Sequence, residues 1–209
     1  TIDNGLLTSS FSYNLSKCVR VPEDCKTIIK AYELIQQSKE SNGALTTIVL
    51  GPGDHVVMKD NNGYLNIKCP VNIVGSRDVL DKSKIVVKGG FQIGDKNANV
   101  PGNVHVEHLT IRHKSGYGVY GSSSCTLTDL MIDQCGGCGV FAHGSDAVLK
   151  CLNIMVSKCQ WSGVGARGGA TIILSGNRTL ITDNCLNGYI FNYGLAVYDP
   201  YSKIQIVKP

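Results

Sequence analysis

Two side chains suited to proton transfer beside a carboxylate, His143 and Arg167, occupy equivalent positions in two copies of a sequence repeat. An imidazole accepts a proton near neutral pH, and an arginine can act as a base or neutralise the acid group of a substrate. Each stands three residues after the Val of a Gly-Val pair. We therefore expect both side chains to point outward from one face, where they are candidate catalytic residues.

Aromatic residues stand two positions earlier in two copies of the repeat, at Tyr120 and Phe141, and form a candidate binding surface. If Val119 and Val140 point into a core, strand alternation turns Tyr120 and Phe141 outward. An aromatic face beside hydrogen-bonding groups suits a sugar ring, which stacks its apolar side and is held at its edge. The competing expectation is that the carboxy-terminal stretch 195–207 folds back and covers both rings. The candidate ligand-binding residues are Tyr120, Phe141, His143 and Arg167.

The acidic residues predict neither a hydrolytic pair nor a metal site. Asp129 and Asp133, at positions i and i+4 of an extended strand, would lie about 13 Å apart. The two carboxyls of a glycosidase face one gap, about 5 to 9.5 Å apart. Asp146 does not share their outward column, which argues against a calcium site, and Cys135-Gly-Gly-Cys138 lacks a second pair of zinc ligands. The sequence predicts no metal and no cofactor.

Four Gly-plus-apolar pairs, each preceded by an alternating strand, show that the second half of the chain is repetitive. Self-similarity at this period indicates repeat architecture, and period-2 alternation indicates strands. Stacked copies would place Arg112 beside Asp133 as an ion pair, and in the fourth copy Ile190 and Asn192 would point outward. The pairs are Gly118-Val119, Gly139-Val140, Gly163-Val164 and Gly188-Tyr189, preceded by Leu109-x-Ile111, Leu130-x-Ile132, Ile154-x-Val156 and Leu180-x-Thr182.

A single amphipathic helix is expected at 22–40, before all the regular strands. Pro22 and Asp24 supply start signals, an apolar stripe runs from Ile28 to Ile35, and Ser41-Asn42-Gly43 ends the helix. The first coil of a solenoid exposes an apolar end and unpaired strand edges. A helix laid across that end is the expected cap.

Residues 1–209 are expected to form one elongated domain. It consists of the capping helix, coils at 44–194 and a C-terminal tail at 195–209. A polar insertion at 94–103 interrupts the early coils, and such projecting loops often carry binding sites. Alternatively, the insertion at 94–103 only connects two coils and carries no site.

The composition limits the partners of the chain. The net charge is only +4 and no run of Lys or Arg forms a basic arm, so nucleic-acid binding is not expected. No stretch of 18 apolar residues is present, so no membrane span is expected. The 24 glycines and the low charged fraction of 17% favour many tight turns in a sheet-rich body.

Three of the nine cysteines follow the repeat and predict a stacked column, a cysteine ladder, at one corner of the coils. Cys135, Cys159 and Cys185 each stand shortly before the Gly of a pair. Free cysteines pack as small apolar residues, but neighbouring rungs about 4.8 Å apart also admit a disulfide. Cys18 and Cys25 could close a small loop in an oxidising compartment. Both alternatives stay open at this point.

The order of helix, TIVLGPGDH, VNIVGS and repeats resembles the right-handed parallel β-helix of the pectin-lyase-like superfamily. The resemblance covers about residues 20–195 and implies three-strand coils behind a capping helix. The Leu-x-Ile-x-x-Cys-x-x-x-Gly-Val copies are similar to carbohydrate-binding and sugar-hydrolase β-helix repeats, including those of some F-box proteins. They also resemble uncharacterised β-helix proteins from algae and their large DNA viruses. That superfamily includes enzymes, tailspikes and non-catalytic domains, so the resemblance specifies fold better than activity.

Two functions are therefore expected as alternatives. The first is a non-catalytic β-helix module, binding or structural, with a polysaccharide or protein partner on an exposed sheet face. The second is a polysaccharide lyase or epimerase that uses Arg167 and His143 on a uronate polymer. The segment Tyr198-Asp-Pro-Tyr201 does not match the Asp-Pro-His-Asp pattern of alginate epimerases. The strand Ile204–Val207 could pair within the chain or with a second copy, so a homo-oligomer is also compatible with the sequence.

Overall fold

Parallel strands stack into three sheets that form the walls of a β-solenoid, and each regular coil contributes one strand to each wall. The structure is a computed structural model and describes residues 14–41, 43–57, 62–94, 103–188 and 192–208. Neighbouring strands in each wall run parallel, as in the pairs β10–β13, β11–β14 and β12–β15. The chain is therefore an all-β parallel β-solenoid of about 6 turns, as the repeats predicted.

The strands are short and follow one another at the corners of the coils. In chain order they are β1 (Cys18–Val21), β2 (Thr47–Leu50), β3 (Gly53–Val56), β4 (Tyr64–Ile67), β5 (Val71–Gly75), β6 (Ile85–Lys88), β7 (Gly90–Ile93), β8 (Val104–Glu107), β9 (Thr110–Arg112), β10 (Val119–Gly121), β11 (Cys125–Thr128), β12 (Met131–Asp133), β13 (Val140–His143), β14 (Val148–Leu152), β15 (Met155–Ser157), β16 (Val164–Arg167), β17 (Thr171–Ser175), β18 (Leu180–Thr182), β19 (Leu195–Val197) and β20 (Lys203–Val207). In the described part of the chain, 3₁₀ turns occupy Leu15–Lys17 and Lys82–Lys84.

One wall contains more strands than the other two. An eight-stranded sheet has the order β1-β2-β5-β8-β11-β14-β17-β20, and two six-stranded sheets have the orders β19-β16-β13-β10-β7-β4 and β18-β15-β12-β9-β6-β3. The sheet that contains β10, β13 and β16 carries the residues proposed for binding, and we call it the site wall.

Side chains that point inward from successive coils stack on one another and form the core. Val119, Val140 and Val164 are neighbours in register on the site wall, and all three are fully buried. Ile111 and Ile132 repeat this arrangement on the wall of β9 and β12. Burying one such side chain contributes about 1.5 to 3 kcal/mol. The inward phase predicted from the alternation is therefore confirmed in the first three copies. In the fourth copy it is wrong by one residue, because Ile181 pairs with the buried Val156, whereas Leu180 pairs with Met155 and is 47% exposed.

Helix α1 (Ile28–Glu40) is shorter than the predicted segment 22–40. Thr27 is its N-cap and accepts a hydrogen bond from the Lys30 amide at 3.1 Å. Asp24 instead accepts from the Arg20 amide at 2.8 Å and closes a turn before the helix. The start signals at Pro22 and Asp24 therefore belong to that turn.

Helix α1 packs on the first strands, β1 and β2, as expected of a cap. Ile28 and Ile35 are fully buried, and the Tyr32 hydroxyl accepts a hydrogen bond from the Lys68 amide at 2.6 Å. The helix thus covers apolar side chains that a further coil would otherwise cover. No helix in the described part of the chain has the length and apolar character needed to cross a membrane.

The fourth copy of the repeat is in a different register from the one predicted. Leu195 pairs with Val164, and the Val164 amide donates to the Gly194 carbonyl at 3.0 Å, so Gly194-Leu195 takes the place expected for Gly188-Tyr189. Asn192 comes before this strand, and Ile190 lies outside the described residues. The segment 195–209, expected as a tail, supplies β19 and β20 of the last coil. A longer corner segment in this copy shifts the register.

Left-handed residues turn the chain at two corners of each regular coil. These φ values near +50° to +56° are unusual for residues other than glycine, and short polar side chains tolerate them best. They fix where each strand ends and so align the corners of successive coils. One column contains His108, Asp129 and Asn153, and the other contains Gln134, Lys158 and Asp183.

Candidate functional site

The four candidate residues from the sequence lie on neighbouring rungs of the site wall. Tyr120 is the register partner of Phe141, and His143 is the partner of Arg167. The rings of Tyr120 and Phe141 stack with centroids 5.9 Å apart, and those of Tyr120 and His143 with centroids 6.5 Å apart. Arg167 is exposed, whereas Phe141 is only 8% exposed. The wall therefore presents a stack of rings with a guanidinium beside it.

Three further aromatic residues join this stack from segments that the strand alternation did not mark. Tyr117 stacks on Phe141 with centroids 5.0 Å apart and an interplanar angle of 15°. Trp161 meets Tyr117 edge to face at 5.7 Å, and Tyr198 lies 6.0 Å from Phe141. Tyr117 and Trp161 stand in corner segments just before the repeated glycines, and that shared position is the sequence signal that could have identified them.

These rings enclose a surface cavity of about 430 Å³. Its volume falls in the range of small-molecule sites, about 300 to 1,000 Å³. Of the four candidates, Phe141 and Arg167 line it, whereas Tyr120 and His143 support the stack from the side. The cavity is lined by Tyr117, Phe141, Trp161, Arg167, Asn187, Asn192 and Tyr198, and we call it the aromatic cavity.

A glycine in the outward column creates the space for this cavity. Gly165 is the register partner of Phe141 on one side and of Ala196 on the other. A Cβ at Gly165 would lie 2.9 Å from Phe141 Cδ2 and 3.0 Å from Tyr198 Cε2. The two rings therefore lean over a position that has no side chain. Any larger residue there would push them apart.

Tyr198 forms one wall of the cavity and is held in place by a buried hydroxyl. Its phenol oxygen lies 2.9 Å from Ser162 Oγ, which also accepts a hydrogen bond from the Tyr193 amide at 3.0 Å. The carboxy-terminal stretch therefore covers Phe141 only through Tyr198, while β19 and β20 extend the sheets. Burial raises the pKa of Tyr117 to about 12 and also raises the pKa of Tyr198, so both phenols stay protonated at neutral pH.

The polar rim consists of one cation and two amides. Asn192 Nδ2 donates a hydrogen bond to Asn187 Oδ1 at 2.9 Å, which orients the two amides relative to each other. Arg167 has five N–H donors in a planar fork that suits hydroxyl and carboxylate oxygens. The aromatic cavity therefore offers an apolar face and hydrogen-bonding groups at one edge.

The neighbouring wall carries a charged cluster around Asp129. His108 Nδ1 lies 2.7 Å from Asp129 Oδ2, and Lys82 Nζ lies 2.7 Å from Asp129 Oδ1. Burial would raise the pKa of Asp129, but hydrogen bonds from His108 and Lys82 outweigh it and lower that pKa to about 2. The hydrogen bond to Asp129 raises the pKa of His108, whose Nε2 lies 2.7 Å from the Val79 carbonyl. This cluster fastens the loop before β6 to the coils.

The predicted ion pair on the same wall is confirmed. Arg112 Nε lies 2.8 Å from Asp133 Oδ1, and Asp133 is only 7% exposed. Both aspartates considered as a hydrolytic pair, Asp129 and Asp133, are thus occupied by cationic partners. Within the described ranges, no group of three or more His, Cys, Asp or Glu side chains is placed to hold a metal ion.

Comparison of the chain with protein-family models, with curated proteins and with solved structures finds no match. The functional argument therefore depends on the geometry of the aromatic cavity.

Proposed function

We propose that the protein is a non-catalytic β-helix module that binds a glycan in the aromatic cavity. The observation that carries this proposal is the combination of aromatic walls with an arginine and two amides at one edge. A sugar ring has an apolar face formed by its C–H groups and a hydroxylated edge. The first can lie on an aromatic ring, and the second requires hydrogen-bond donors and acceptors.

The arrangement of the rings suggests how a sugar would sit. Tyr117 and Phe141 stack at 15°, so they offer nearly parallel faces, while Trp161 stands almost perpendicular to Tyr117 at 78°. A sugar placed against Trp161 would direct its hydroxyl groups towards Asn187 and Arg167. Phe141 and Arg167 stand on stacked strands, which keeps the entropy cost of ordering these two side chains low.

The composition of the lining supports binding over hydrolysis. The described residues that line the aromatic cavity include no carboxylate, and glycosidic hydrolysis ordinarily uses two. The lyase or epimerase alternative is favoured by Arg167 on the cavity wall, where it could neutralise a uronate carboxylate. That alternative also needs a base, and His143 stacks on Tyr120 beside the cavity and does not line it.

We also propose that the chain is a distant member of the pectin-lyase-like superfamily. The support is architectural: three-strand parallel coils, one helix across the first coil, and crossovers that in parallel sheets are right-handed in nearly all cases. Architecture of this kind is shared by proteins with many activities, so the proposal on function does not depend on it.

A glycan array with matched variants tests the binding proposal. Trp161→Ala removes a ring of the aromatic cavity that is 43% exposed, and Tyr201→Ala removes a ring that is 78% exposed and does not line it. We expect Trp161→Ala to weaken binding of the retained glycan at least tenfold, or about 1.4 kcal/mol, and Tyr201→Ala to leave it unchanged. Equal retention by wild type and Trp161→Ala would exclude this cavity as the binding site.

An absorbance assay separates the module from the lyase. Cleavage by a lyase creates a new double bond, so incubation with uronate polymers would raise the ultraviolet absorbance. We expect no rise above buffer. If the absorbance rises with the wild-type protein and not with Arg167→Ala, the binding proposal is wrong and the lyase alternative is supported.

A further inference from the structure

Two buried thiols meet at the wall of a second cavity, on the corner next to the aromatic cavity. Cys135 and Cys159 are 1% and 0% exposed, and each Sγ lies near the carbonyl two residues before it, at 3.8 Å from Asp133 and 3.5 Å from Ser157. The second cavity has a volume of about 430 Å³, and its lining includes Cys135 together with Lys114 and Lys158. All nine cysteines of the chain are free. A cavity thus leads to one member of a pair of buried thiols on adjacent coils.

The coil geometry places the two sulfur atoms within reach of a covalent bond. Asp133 and Ser157 are register partners, and Cys135 and Cys159 each follow two residues later, so they occupy the same position on adjacent coils. Adjacent strands lie about 4.8 Å apart, inside the Cα separation of about 4.4 to 6.8 Å that disulfides use. A disulfide therefore needs rotation of two side chains and little movement of the backbone.

Glycines on neighbouring coils leave room for these thiols. A Cβ at Gly118 would lie 3.1 Å from Cys135 Sγ, and a Cβ at Gly139 would lie 3.3 Å from Cys159 Sγ. The sulfur atoms occupy equivalent pockets in successive repeats. Their relative position is consequently fixed by the packing of the coils.

The surroundings favour a thiolate on this pair. The hydrogen bond from Cys135 lowers the pKa of the Cys159 thiol, and the same contact raises the pKa of Cys135. Lys114 and Lys158 line the same cavity, and the nearby Asp133 is engaged by Arg112. By contrast, burial raises the pKa of Cys151 to about 12. One proton shared by two sulfurs beside cations gives a more reactive thiol than an isolated buried one.

We propose that Cys135 and Cys159 are a redox site that forms a reversible disulfide when a small hydroperoxide enters the second cavity. The Cys135 sulfur, on the cavity wall, attacks the peroxide, and the Cys159 thiolate accepts the Cys135 proton as it does so. An S–O bond forms, the O–O bond breaks, and the leaving oxygen takes up a proton. The Cys159 sulfur then attacks the sulfenic sulfur, the S–S bond forms and water leaves. Two thiols and one hydroperoxide thus give one disulfide, one alcohol or water, and one further water.

The disulfide would join two adjacent coils at the corner that carries Tyr117 and Trp161. The Trp161 amide donates to the Gly137 carbonyl at 3.3 Å, so this corner already links the same two coils. A covalent link here restricts the unfolded chain and stabilises the folded one. We expect oxidation to raise the Tm by about 5 to 10 °C, and dithiothreitol to reverse the rise.

Peptide mapping after oxidation tests the proposal. The folded protein is treated with hydrogen peroxide, its remaining thiols are alkylated, and it is digested with trypsin, which cuts at Lys150 and Lys158 and so separates Cys135 from Cys159. We expect a linked peptide pair two hydrogens lighter than the sum of its parts. The link should be lost in Cys135→Ser and in Cys159→Ser and retained in Cys151→Ser, whose thiol is equally buried.

Three results would overturn the proposal. The first is alkylation of both Cys135 and Cys159 after other cysteines have been oxidised. The second is persistence of the link in Cys135→Ser, which would assign it to Cys125 or Cys138 of the same tryptic peptide. The third is an equal rate of linkage in urea, which would mean that the fold contributes nothing. The reversible change in Tm of the wild-type protein gives a readout that does not depend on the folding of any variant.

Discussion

Replacing the glycine beneath the aromatic cavity should damage both stability and binding. In Gly165→Ala the new Cβ would lie 2.9 Å from Phe141 Cδ2 and 3.0 Å from Tyr198 Cε2, closer than carbon atoms pack in proteins. One or both rings must move. Overpacking of this kind costs about 1 to 3 kcal/mol, more than the ~0.5 to 1 kcal/mol gained when alanine replaces glycine in a strand.

The matched control is another glycine of the same wall. A Cβ at Gly194 would have no atom within 4 Å, and its φ lies outside the left-handed region. Gly194→Ala should therefore leave the stability unchanged or raise it slightly. Comparison of Gly165 with Gly194 separates the contact with the rings from the general effect of removing a glycine.

Thermal unfolding followed by circular dichroism measures the difference. For a chain of this length, about 1 kcal/mol corresponds to ~2 to 4 °C in Tm. We expect Gly165→Ala to melt about 2 to 12 °C below Gly194→Ala and to bind the retained glycan at least tenfold more weakly. A Gly165→Ala protein that melts at or above the control temperature would refute the assignment of Gly165 as the gap beneath Phe141 and Tyr198.

Two further predictions concern the core and the charged cluster. Ile132→Ala should lower the free energy of unfolding, measured in urea titrations, by about 2 to 5 kcal/mol. Met131 is the partly exposed neighbour of Ile132, and Met131→Ala should lower it by less than half as much. Equal losses would contradict the inward phase of β12. The pKa of His108 is raised in the fold, so its contribution is complete below about pH 6.5 and is lost as the pH rises through the folded value. The pKa of Asp129 falls from about 3.9 in the unfolded chain to about 2, so its contribution is lost as the pH drops through that interval. A His108→Gln protein should lack the alkaline loss in a series of melts between pH 5 and 9, and an unchanged pH profile would exclude His108 as its source.

The fold was predictable from the sequence because it rests on a pattern that repeats. Stacking of Val119, Val140 and Val164 follows from period-2 alternation and equal spacing, and the ion pair of Arg112 with Asp133 follows from the same register. Each copy supports the interpretation of the others. The same alternation predicted that Tyr120 and Phe141, which follow Val119 and Val140, lie on the outer face of the wall.

Features that lie in the corners could not be predicted in this way. Tyr117 and Trp161 line the aromatic cavity from segments without strand alternation. The sequence of these segments has no period from which the orientation of the two side chains could be predicted. The register of the last coil depends on which glycine pairs with Val164, and the spacing of earlier copies favoured Gly188 over Gly194. Helix α1 begins at Ile28 because Asp24 closes a turn with Arg20, a competition between local hydrogen bonds that composition does not resolve.

The central claim, that the aromatic cavity binds a glycan, is tested most directly by fluorescence. Trp161 is the only tryptophan of the chain, so its emission reports on this cavity alone. Titration with the oligosaccharide retained on the array should change that emission saturably, and the change should require at least tenfold more ligand in Phe141→Ala. Saturable binding, measured by calorimetry, that leaves the Trp161 emission unaltered would place the glycan elsewhere and contradict the account.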